Sequence, residues 1–310
     1  MVVQINNLVK RYNDVLAVDH FNMEISQGEV LGLLGPNGSG KTTTINCMLS
    51  LLKYDKGDIA LFGKPMHPSR YDAKKEIGVV MQNVAVFDDL TVYENIDYFC
   101  GLYIKDRTKR KQYIDEVIEF VALKDQVKFL PGKLSGGLLR RLHIACGIAH
   151  KPKLIIFDEP TVAVDPQSRN HILNGIMALN KQGATIIYTS HYMEEVEQIC
   201  SRIIIMDNGK KIAEGTTEEL KRMIKTGETI RVDVLNLDKS HLEQIKKLPN
   251  VFAVDYENEA LTIRLTQGKN NLIRILEYFS ASGINHGQVL SELPTLNDVF
   301  LEITGKTLRD

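Results

Sequence analysis

Hydrophobic and polar residues alternate along the first thirty positions of the chain. The segments VVQINNL and AVDHFNMEI change character at almost every residue, and this period of two is typical of half-buried β-strands. Two later segments, VLGLLG at 30–35 and EIGVVMQ at 76–82, are mostly apolar and are predicted as buried strands. A helix is predicted at 42–52, directly after a glycine-rich turn.

In the middle of the chain, the apolar spacing changes from that of strands to that of helices. Helices are predicted at 92–102, 109–123 and 138–149, so a helical block at about 90–150 interrupts an α/β pattern. Beyond this block, the pattern predicts buried strands at 154–160 and 184–191, a helix at 166–181 and a hairpin at 201–215.

A second pattern starts after Gly215. Strands and helices are predicted in the order β-α-β-β-α-β-α, at 229–235, 241–248, 251–256, 260–265, 271–280, 287–293 and 296–303. This order resembles a ferredoxin-like α+β unit with one additional helix. We place the boundary near residue 220, so the prediction is one domain at 1–220 and an accessory domain at 221–310.

Composition and charge narrow the class of protein. The 310 residues are 44% hydrophobic and 25% charged, with 38 basic and 39 acidic side chains. Because this even balance leaves no electrostatic footprint for nucleic acid, no nucleic-acid partner is expected. No apolar run approaches the roughly 20 residues of a membrane span, and the N-terminus lacks the apolar core of a signal peptide. We therefore expect a cytosolic protein that reaches a membrane only through a partner.

Residues 35–42 match the phosphate-binding pattern G-x-x-x-x-G-K-[ST] at every position. Small residues there let backbone N–H groups surround phosphates, and the helix that follows presents its positive end. Lys41 is expected to reach the β- and γ-phosphates, and the Thr42 hydroxyl to ligate Mg²⁺. A chance glycine-rich turn is the alternative, but the strand before and the helix after favour binding. The predicted ATP-binding residues here are Gly35, Pro36, Asn37, Gly38, Ser39, Gly40, Lys41, Thr42 and Thr43.

Two acidic residues end a buried strand further along the chain. Asp158 and Glu159 follow the apolar run LIIF, and the carboxyl ends of parallel strands are where such sheets bind ligands. Asp158 is predicted to hold Mg²⁺, and Glu159 to polarise the attacking water or accept its proton. A strand that meets a polar loop has the same pattern, but the phosphate-binding loop in the same chain favours the catalytic interpretation.

The segment LSGG at 134–137 separates this chain from other phosphate-binding proteins. With the phosphate-binding loop, Gln82, the LIIFDE strand, the turn at Asp165 and His191, it resembles the nucleotide-binding subunits of ABC transporters over residues 1 to about 220. The resemblance implies a P-loop NTPase core with an antiparallel β subdomain and a helical subdomain, followed by the small α+β domain. It also implies ATP hydrolysis coupled to transport.

The same resemblance implies a role for each remaining residue of the site. Tyr12 would stack on the adenine ring, whereas a strand tyrosine packed in the core is the alternative. Gln82 would contact Mg²⁺ and the lytic water, and His191 would bind the γ-phosphate. Asp165 would cross the interface with a second copy of the chain. The γ-phosphate held by that copy would be bound by Ser135, Gly136 and Gly137.

The implied ligands and partners are ATP, Mg²⁺, a second nucleotide-binding subunit in a homodimer, and a transmembrane permease. The chain would then be a peripheral subunit at the cytoplasmic face of the cell membrane. The tail PTLNDVFLEITGK at 294–306 is similar to the C-terminal segment of bacterial exporter subunits that handle antibiotics, lipids or sodium. A helix that caps the accessory domain is the other interpretation of this tail.

Two departures from the family pattern concern the interface between copies. Leu138 stands where Gln or Met is common, and Ala163-Val164-Asp165 replaces the usual Gly-Leu-Asp.

A soluble ABC ATPase that acts on ribosomes or nucleic acid is the alternative function, but such proteins typically have two nucleotide-binding domains in one chain or a long coiled coil. LSGG argues against a P-loop kinase or GTPase. Intact acidic residues and an intact His191 argue against an inactive binding module.

Overall fold

The computed structural model describes residues 1–305. The chain divides after Gly215 into two compact units, and the second begins at Thr216. The sequence pattern placed this boundary near residue 220, because it missed a helix at Thr217–Met223 that starts the second unit. Residues 306–310, which include the last residue of the tail motif, lie outside the described residues.

The first unit alternates strands and helices. Its strands are β1 (Val3–Tyr12), β2 (Val15–Ile25), β3 (Val30–Leu34), β4 (Lys56–Leu61), β5 (Lys64–Pro65), β6 (Ile77–Val80), β7 (Leu154–Asp158), β8 (Thr185–Thr189), β9 (Arg202–Asp207) and β10 (Lys210–Gly215). Its helices are α1 (Lys41–Met48), α2 (Tyr71–Lys74), α3 (Val92–Tyr103), α4 (Arg107–Phe120), α5 (Gly136–Ile148), α6 (Pro166–Lys181) and α7 (Met193–Ile199). Short 3-10 helices lie between α4 and α5, at Lys124–Gln126 and Pro131–Lys133.

Two sheets organise this unit. An antiparallel sheet has the order β2-β1-β4-β5, and a six-stranded sheet has the order β10-β9-β3-β8-β7-β6. In the second sheet every neighbouring pair is parallel except the antiparallel pair of β9 and β10. Every residue of β3, β7 and β8 is buried, as expected for strands covered on both faces. The parallel arrangement brings the carboxyl ends of β3, β6, β7 and β8 to one edge, so the loops that follow them lie close together.

The antiparallel sheet and the helices α3 to α5 confirm the two subdomains implied by the family resemblance. In the first unit, α1 and α4 end several residues earlier than the apolar spacing predicts. α1 ends at Met48 instead of residue 52, and α4 at Phe120 instead of residue 123. In each case a left-handed residue, Ser50 or Ala122, holds the position that glycine usually takes in a Schellman motif. Because neither helix is followed by glycine at this position, the sequence does not indicate where the helix ends.

The second unit has the ferredoxin-like arrangement predicted from the sequence. It consists of α8 (Thr217–Met223), β11 (Glu228–Asp233), α9 (Lys239–Ile245), β12 (Val251–Glu257), β13 (Ala260–Leu265), α10 (Asn271–Ala281), β14 (Val289–Glu292) and α11 (Leu296–Thr304). The four strands form an antiparallel sheet of order β12-β13-β11-β14. This unit has a hydrophobic core of its own, which includes Ile230, Ile263, Ile275 and Phe279.

The tail motif folds as α11 within the second unit. The Glu302 carboxylate on α11 accepts hydrogen bonds from Lys225 N at 2.5 Å and from Thr226 Oγ1 at 2.9 Å, and α11 packs against α8. The tail therefore helps to close the second unit. None of the helices in residues 1–305 combines the length and the apolar character that a membrane span requires.

Phe279→Ala is expected to destabilise the second unit by about 3–5 kcal/mol, because the ring is fully buried in its core. Hydrogen exchange of peptides from 228–281, measured by mass spectrometry, reports the local opening free energy. The control is Ile273→Ala on the same helix, where the side chain is 53% exposed and a change of under about 0.5 kcal/mol is expected. Equal acceleration of exchange in both variants would contradict the separate core.

Candidate functional site

The phosphate-binding loop connects β3 to α1 at the carboxyl edge of the six-stranded sheet. Gly38 and Gly40 have φ angles of 80° and 104°, in the left-handed region that glycine adopts without strain. A Cβ atom on Gly40 would also lie 2.6 Å from the Ala17 carbonyl oxygen. No side chain caps the first turn of α1, and the N–H groups of such a helix end attract anions.

Two buried polar side chains line this loop. Lys41 Nζ donates to the carbonyl oxygens of Gly35 at 2.7 Å and Pro36 at 3.0 Å. Burial lowers the pKa of Lys41, against the opposing effect of the Glu159 and Asp158 carboxylates. The Ser39 hydroxyl is buried, and no group among the described residues forms a hydrogen bond with it. A phosphate oxygen in the loop would supply the acceptor that this hydroxyl lacks.

The acidic pair lies at the end of β7, beside Thr189 at the end of β8. Asp158 is buried, and its Oδ1 atom accepts a hydrogen bond of 2.6 Å from the Thr189 hydroxyl. Glu159 has a φ of 50°, which is strained for a residue other than glycine. Its backbone N–H donates to Thr189 O at 3.1 Å and to Thr189 Oγ1 at 3.0 Å. Thr189 therefore holds both acidic residues in position.

His191 is close to the second of these carboxylates. Its Nδ1 atom lies 3.3 Å from Glu159 Oε2, and its ring packs against Tyr192 with a centroid separation of 4.2 Å. The structure therefore brings Lys41, Asp158, Glu159 and His191 to one edge of the sheet.

The LSGG segment forms the start of α5 and contacts the Asp165 turn. Ser135 caps α5 by accepting a hydrogen bond of 3.3 Å from Leu138 N, so the helix begins two residues before the predicted position 138. A Cβ atom on Gly137 would lie 2.3 Å from Ser168 Oγ and 2.9 Å from Asp165 Oδ2. Gly137 is therefore a glycine because the neighbouring turn leaves no space for a side chain.

Asp165 has a local structural function as well. Its Oδ1 atom accepts a hydrogen bond of 2.9 Å from Ser168 N and so caps α6. This hydrogen bond holds the pKa of Asp165 below its usual value. The segment of Ser135, Gly136 and Gly137 and the Asp165 turn thus form one surface of the first unit.

Two predicted site residues lie further out on the protein. Gln82 is exposed in the loop that follows β6, two residues after the strand ends rather than at its last position. Tyr12 ends β1 with 46% of its surface exposed, and Lys10 Nζ lies 5.1 Å from the centre of its ring. This exposure rules out the alternative of a tyrosine packed in the core and leaves the ring accessible to a flat partner.

Comparison with known proteins identifies both units. A family model described as ABC transporter matches residues 18–162. A second model, described as the C-terminal domain of DrrA1-3-like ATP-binding proteins, matches residues 215–304.

Curated relatives match the whole chain. It is 38% identical to the linearmycin resistance ATP-binding protein LnrL of Bacillus subtilis, over 100% of both chains. The chain belongs to the ABC transporter ATP-binding family. It is also 32% identical to the Nod factor export ATP-binding protein I of Sinorhizobium fredii, over 100% of this chain and 88% of that protein. The daunorubicin resistance ATP-binding protein DrrA3 of Streptomyces coeruleorubidus is 32% identical, over 99% of this chain and 97% of that one.

Solved structures show the same fold. An ATP-binding subunit of an ABC transporter superposes with a TM-score of 0.67 at 22% identity, over 72% of this chain and 93% of that chain. The ATP-binding cassette MJ0796, a dimer in a post-hydrolysis state bound to ADP and Pi, superposes with a TM-score of 0.64 at 26% identity, over 69% and 98%. The present chain is therefore an ABC-type ATPase subunit that binds nucleotide.

Two residues that position the site of this ABC subunit were not predicted from the sequence. Glu195 is 3% exposed, and its Oε2 atom accepts hydrogen bonds from Thr161 Oγ1 at 2.9 Å, Tyr188 Oη at 2.6 Å and Ser190 Oγ at 2.9 Å. It thereby ties the loop after Glu159 to the residue before His191. The other is Arg140, a buried arginine of α5. In the sequence, the only sign of a role for Glu195 or Arg140 was a charged residue on the apolar face of a helix.

Glu195→Ala is expected to lower the free energy of unfolding by about 3 kcal/mol, because three hydroxyl groups lose their common acceptor and Arg169, 3.3 Å from Glu195, loses its carboxylate. Chemical denaturation followed by circular dichroism measures the loss. The neighbouring Glu194 is exposed, so Glu194→Ala is the control, with a change of under about 0.5 kcal/mol. Similar losses in the two variants would show that the Glu195 contacts contribute little.

Proposed function

We propose that this subunit hydrolyses ATP to drive export of drugs, antibiotics or lipids through a separate membrane subunit. The observation that carries the hydrolytic part is the arrangement of Lys41, Asp158, Glu159 and His191 at one edge of the sheet. Support for export comes from the resistance and export proteins that match the chain over its whole length. The match of residues 215–304 to the C-terminal domain of DrrA1-3-like ATP-binding proteins adds to it, because the daunorubicin resistance protein DrrA3 is among the relatives.

The loop and α1 would bind the phosphates of ATP. The N–H groups at the start of α1 face an anion site, Lys41 would pair with the β- and γ-phosphates, and the Ser39 hydroxyl would donate to a phosphate oxygen. The exposed ring of Tyr12 would stack on the adenine. Lys41 would exchange its present carbonyl acceptors for phosphate oxygens, a change that favours the more strongly negative partner.

Thr42, Asp158 and Gln82 would hold a Mg²⁺ ion through their side-chain oxygen atoms, because this ion prefers hard oxygen ligands together with phosphates and water. The bound ion would neutralise charge on the β- and γ-phosphates. Glu159 would then accept the proton of the attacking water, and His191, close to Glu159, would donate a hydrogen bond to the γ-phosphate. Gln82 would orient the water from the opposite loop.

A second copy of the chain would complete each site. The surface formed by Ser135, Gly136, Gly137 and the Asp165 turn has the positive N-terminal end of α5 at its centre. Such a surface suits the γ-phosphate held by the other subunit. Dimeric solved cassettes of the same fold support this arrangement.

The docking surface for the membrane subunit would be an exposed apolar patch beside Gln82, which we call the loop–helix patch. Its members are Val84, Phe87, Tyr98 and Leu102, with exposures of 38%, 45%, 47% and 50%. The Asn95 side chain, buried beneath it, bonds to the backbone N–H and C=O of Phe87 at 2.8 and 3.0 Å. A partner on this patch would press on the loop that contains Gln82, at the cytoplasmic face of the membrane.

Affinity purification from detergent-solubilised membranes tests the transporter assignment. An integral membrane protein is expected to co-purify with the subunit, and its yield should fall when Phe87 and Leu102 are both replaced by serine. Co-purification of ribosomes or nucleic acid instead would favour the alternative of a soluble ABC ATPase.

Glu159→Gln is expected to bind ATP and to form an ATP-bound dimer while hydrolysis falls by about 10²–10⁴-fold, because the amide cannot accept the proton of the water. Size-exclusion chromatography with and without ATP and Mg²⁺, together with a phosphate-release assay, measures both effects. Glu119→Gln on the exposed face of α4 is the control. A Glu159→Gln protein that stays monomeric and hydrolyses ATP at the wild-type rate would show that another group is the base.

A further inference from the structure

We propose that Arg140 is a positioning residue that links the signature helix α5 to the loops of Gln82 and Glu159, so that engagement of the LSGG surface by a second copy's ATP alters the subunit's own hydrolytic site. The proposal deepens the function proposed above and rests on it. It assigns a role to an arginine that was not among the predicted site residues.

The guanidinium group of Arg140 donates hydrogen bonds to backbone carbonyl oxygens in two different loops. Arg140 is 4% exposed. Its Nη1 atom donates to Met81 O at 3.0 Å and Gln82 O at 2.8 Å. From the other side, Nε donates to Pro160 O at 2.7 Å and Nη2 to Glu159 O at 2.9 Å. One side chain of α5 therefore holds the backbone after β6 and the backbone after β7 at the same time.

The chemistry of these contacts requires an arginine. A guanidinium has five N–H donors in a rigid plane, so it can serve carbonyl groups on two sides, whereas a lysine ammonium is a compact charge on a flexible stem. Burial lowers the pKa of Arg140 to about 10, so the group stays charged at neutral pH. The adjacent His143 does not compete as a cation, because burial and Arg140 lower its pKa to about 4.

The next residue of the same helix provides a contrast. Arg141 Nη1 also donates to backbone carbonyl oxygens, those of Val121 at 3.1 Å and Ala122 at 3.3 Å. These acceptors follow α4, so Arg141 connects α5 to its own helical subdomain. Arg140 connects α5 to the sheet edge instead. The two arginines have similar chemistry and different anchoring points.

The mechanical consequence follows from the position of α5. The helix starts at the LSGG surface, and Arg140 lies one turn further along. A displacement of this helix start would move the Arg140 guanidinium, and the carbonyl groups of Gln82 and Glu159 would move with it. Within a dimer, ATP bound by one copy would then alter the alignment of the lytic water and Glu159 in the other copy. Hydrolysis would become cooperative in ATP.

The test compares Arg140→Lys with Arg141→Lys in the full chain, because both keep the positive charge and lose the planar fork. For Arg140→Lys we expect kcat to fall at least tenfold, the Hill coefficient for ATP to fall towards one, and KM to change less than threefold. Hydrogen exchange should accelerate in both loops, at 81–82 and at 158–160. For Arg141→Lys we expect kcat and the Hill coefficient to stay within twofold of the wild type, with faster exchange only near 121–122.

The outcomes separate this inference from the proposed function. If the wild-type protein does not hydrolyse ATP or does not dimerise with it, the proposed function fails. If the wild type does both and Arg140→Lys matches Arg141→Lys in kcat and Hill coefficient, only the role of Arg140 is overturned. An Arg140→Lys protein that does not fold would also overturn it, since the residue would then serve stability of the whole unit. Arg140→Gln removes the charge as well as the hydrogen bonds to the two loops. It should show the same fall in kcat and in the Hill coefficient as Arg140→Lys.

Discussion

Buried positive charge must be compensated, and in this protein the compensation shapes the site. Lys41 and Arg140 are both buried near the carboxyl edge of the six-stranded sheet, and both donate to backbone carbonyl groups of the loops beside them. Loss of water around a cation is costly unless dipoles or charges replace it. The loops therefore take the shapes that bring their carbonyl groups to these two cations. The same loops contain the residues that would bind and hydrolyse ATP.

Buried carboxylates near the site are also compensated, in this case by hydroxyl groups that donate hydrogen bonds to them. Hydroxyl groups surround Glu195, and the Thr189 hydroxyl reaches Asp158. These contacts join segments that are distant in sequence but adjacent at the sheet edge. Ala163, in the loop that precedes Asp165, has a φ of 58°, in the left-handed region that glycine adopts without strain.

The elements that could be predicted from the sequence are those with a strong local signal. The strands β3, β7 and β8 are buried on both faces and read as apolar runs. α6 has the predicted bounds 166–181, and in the structure Asp165 caps it immediately before Pro166. α8 was missed, although Thr216 and Glu219 form a capping box that the sequence displays. The phosphate-binding loop, the acidic pair and His191 were recognised from motifs, whereas Arg140 and Glu195 depend on partners that only the fold brings near.

The contact between Gly137 and Ser168 has a consequence for genetic studies of this protein. Any side chain at position 137 meets the α6 cap of the same polypeptide before a second subunit or a nucleotide is involved. A loss of transport in such a mutant is therefore ambiguous, because misfolding of the turn and loss of a phosphate contact give one phenotype. Ser135 and Gly136 are exposed, and a Cβ atom on Gly136 has no neighbour nearer than Ala163 O at 3.8 Å. Alleles at Gly136 would therefore report more directly on the proposed interface between subunits.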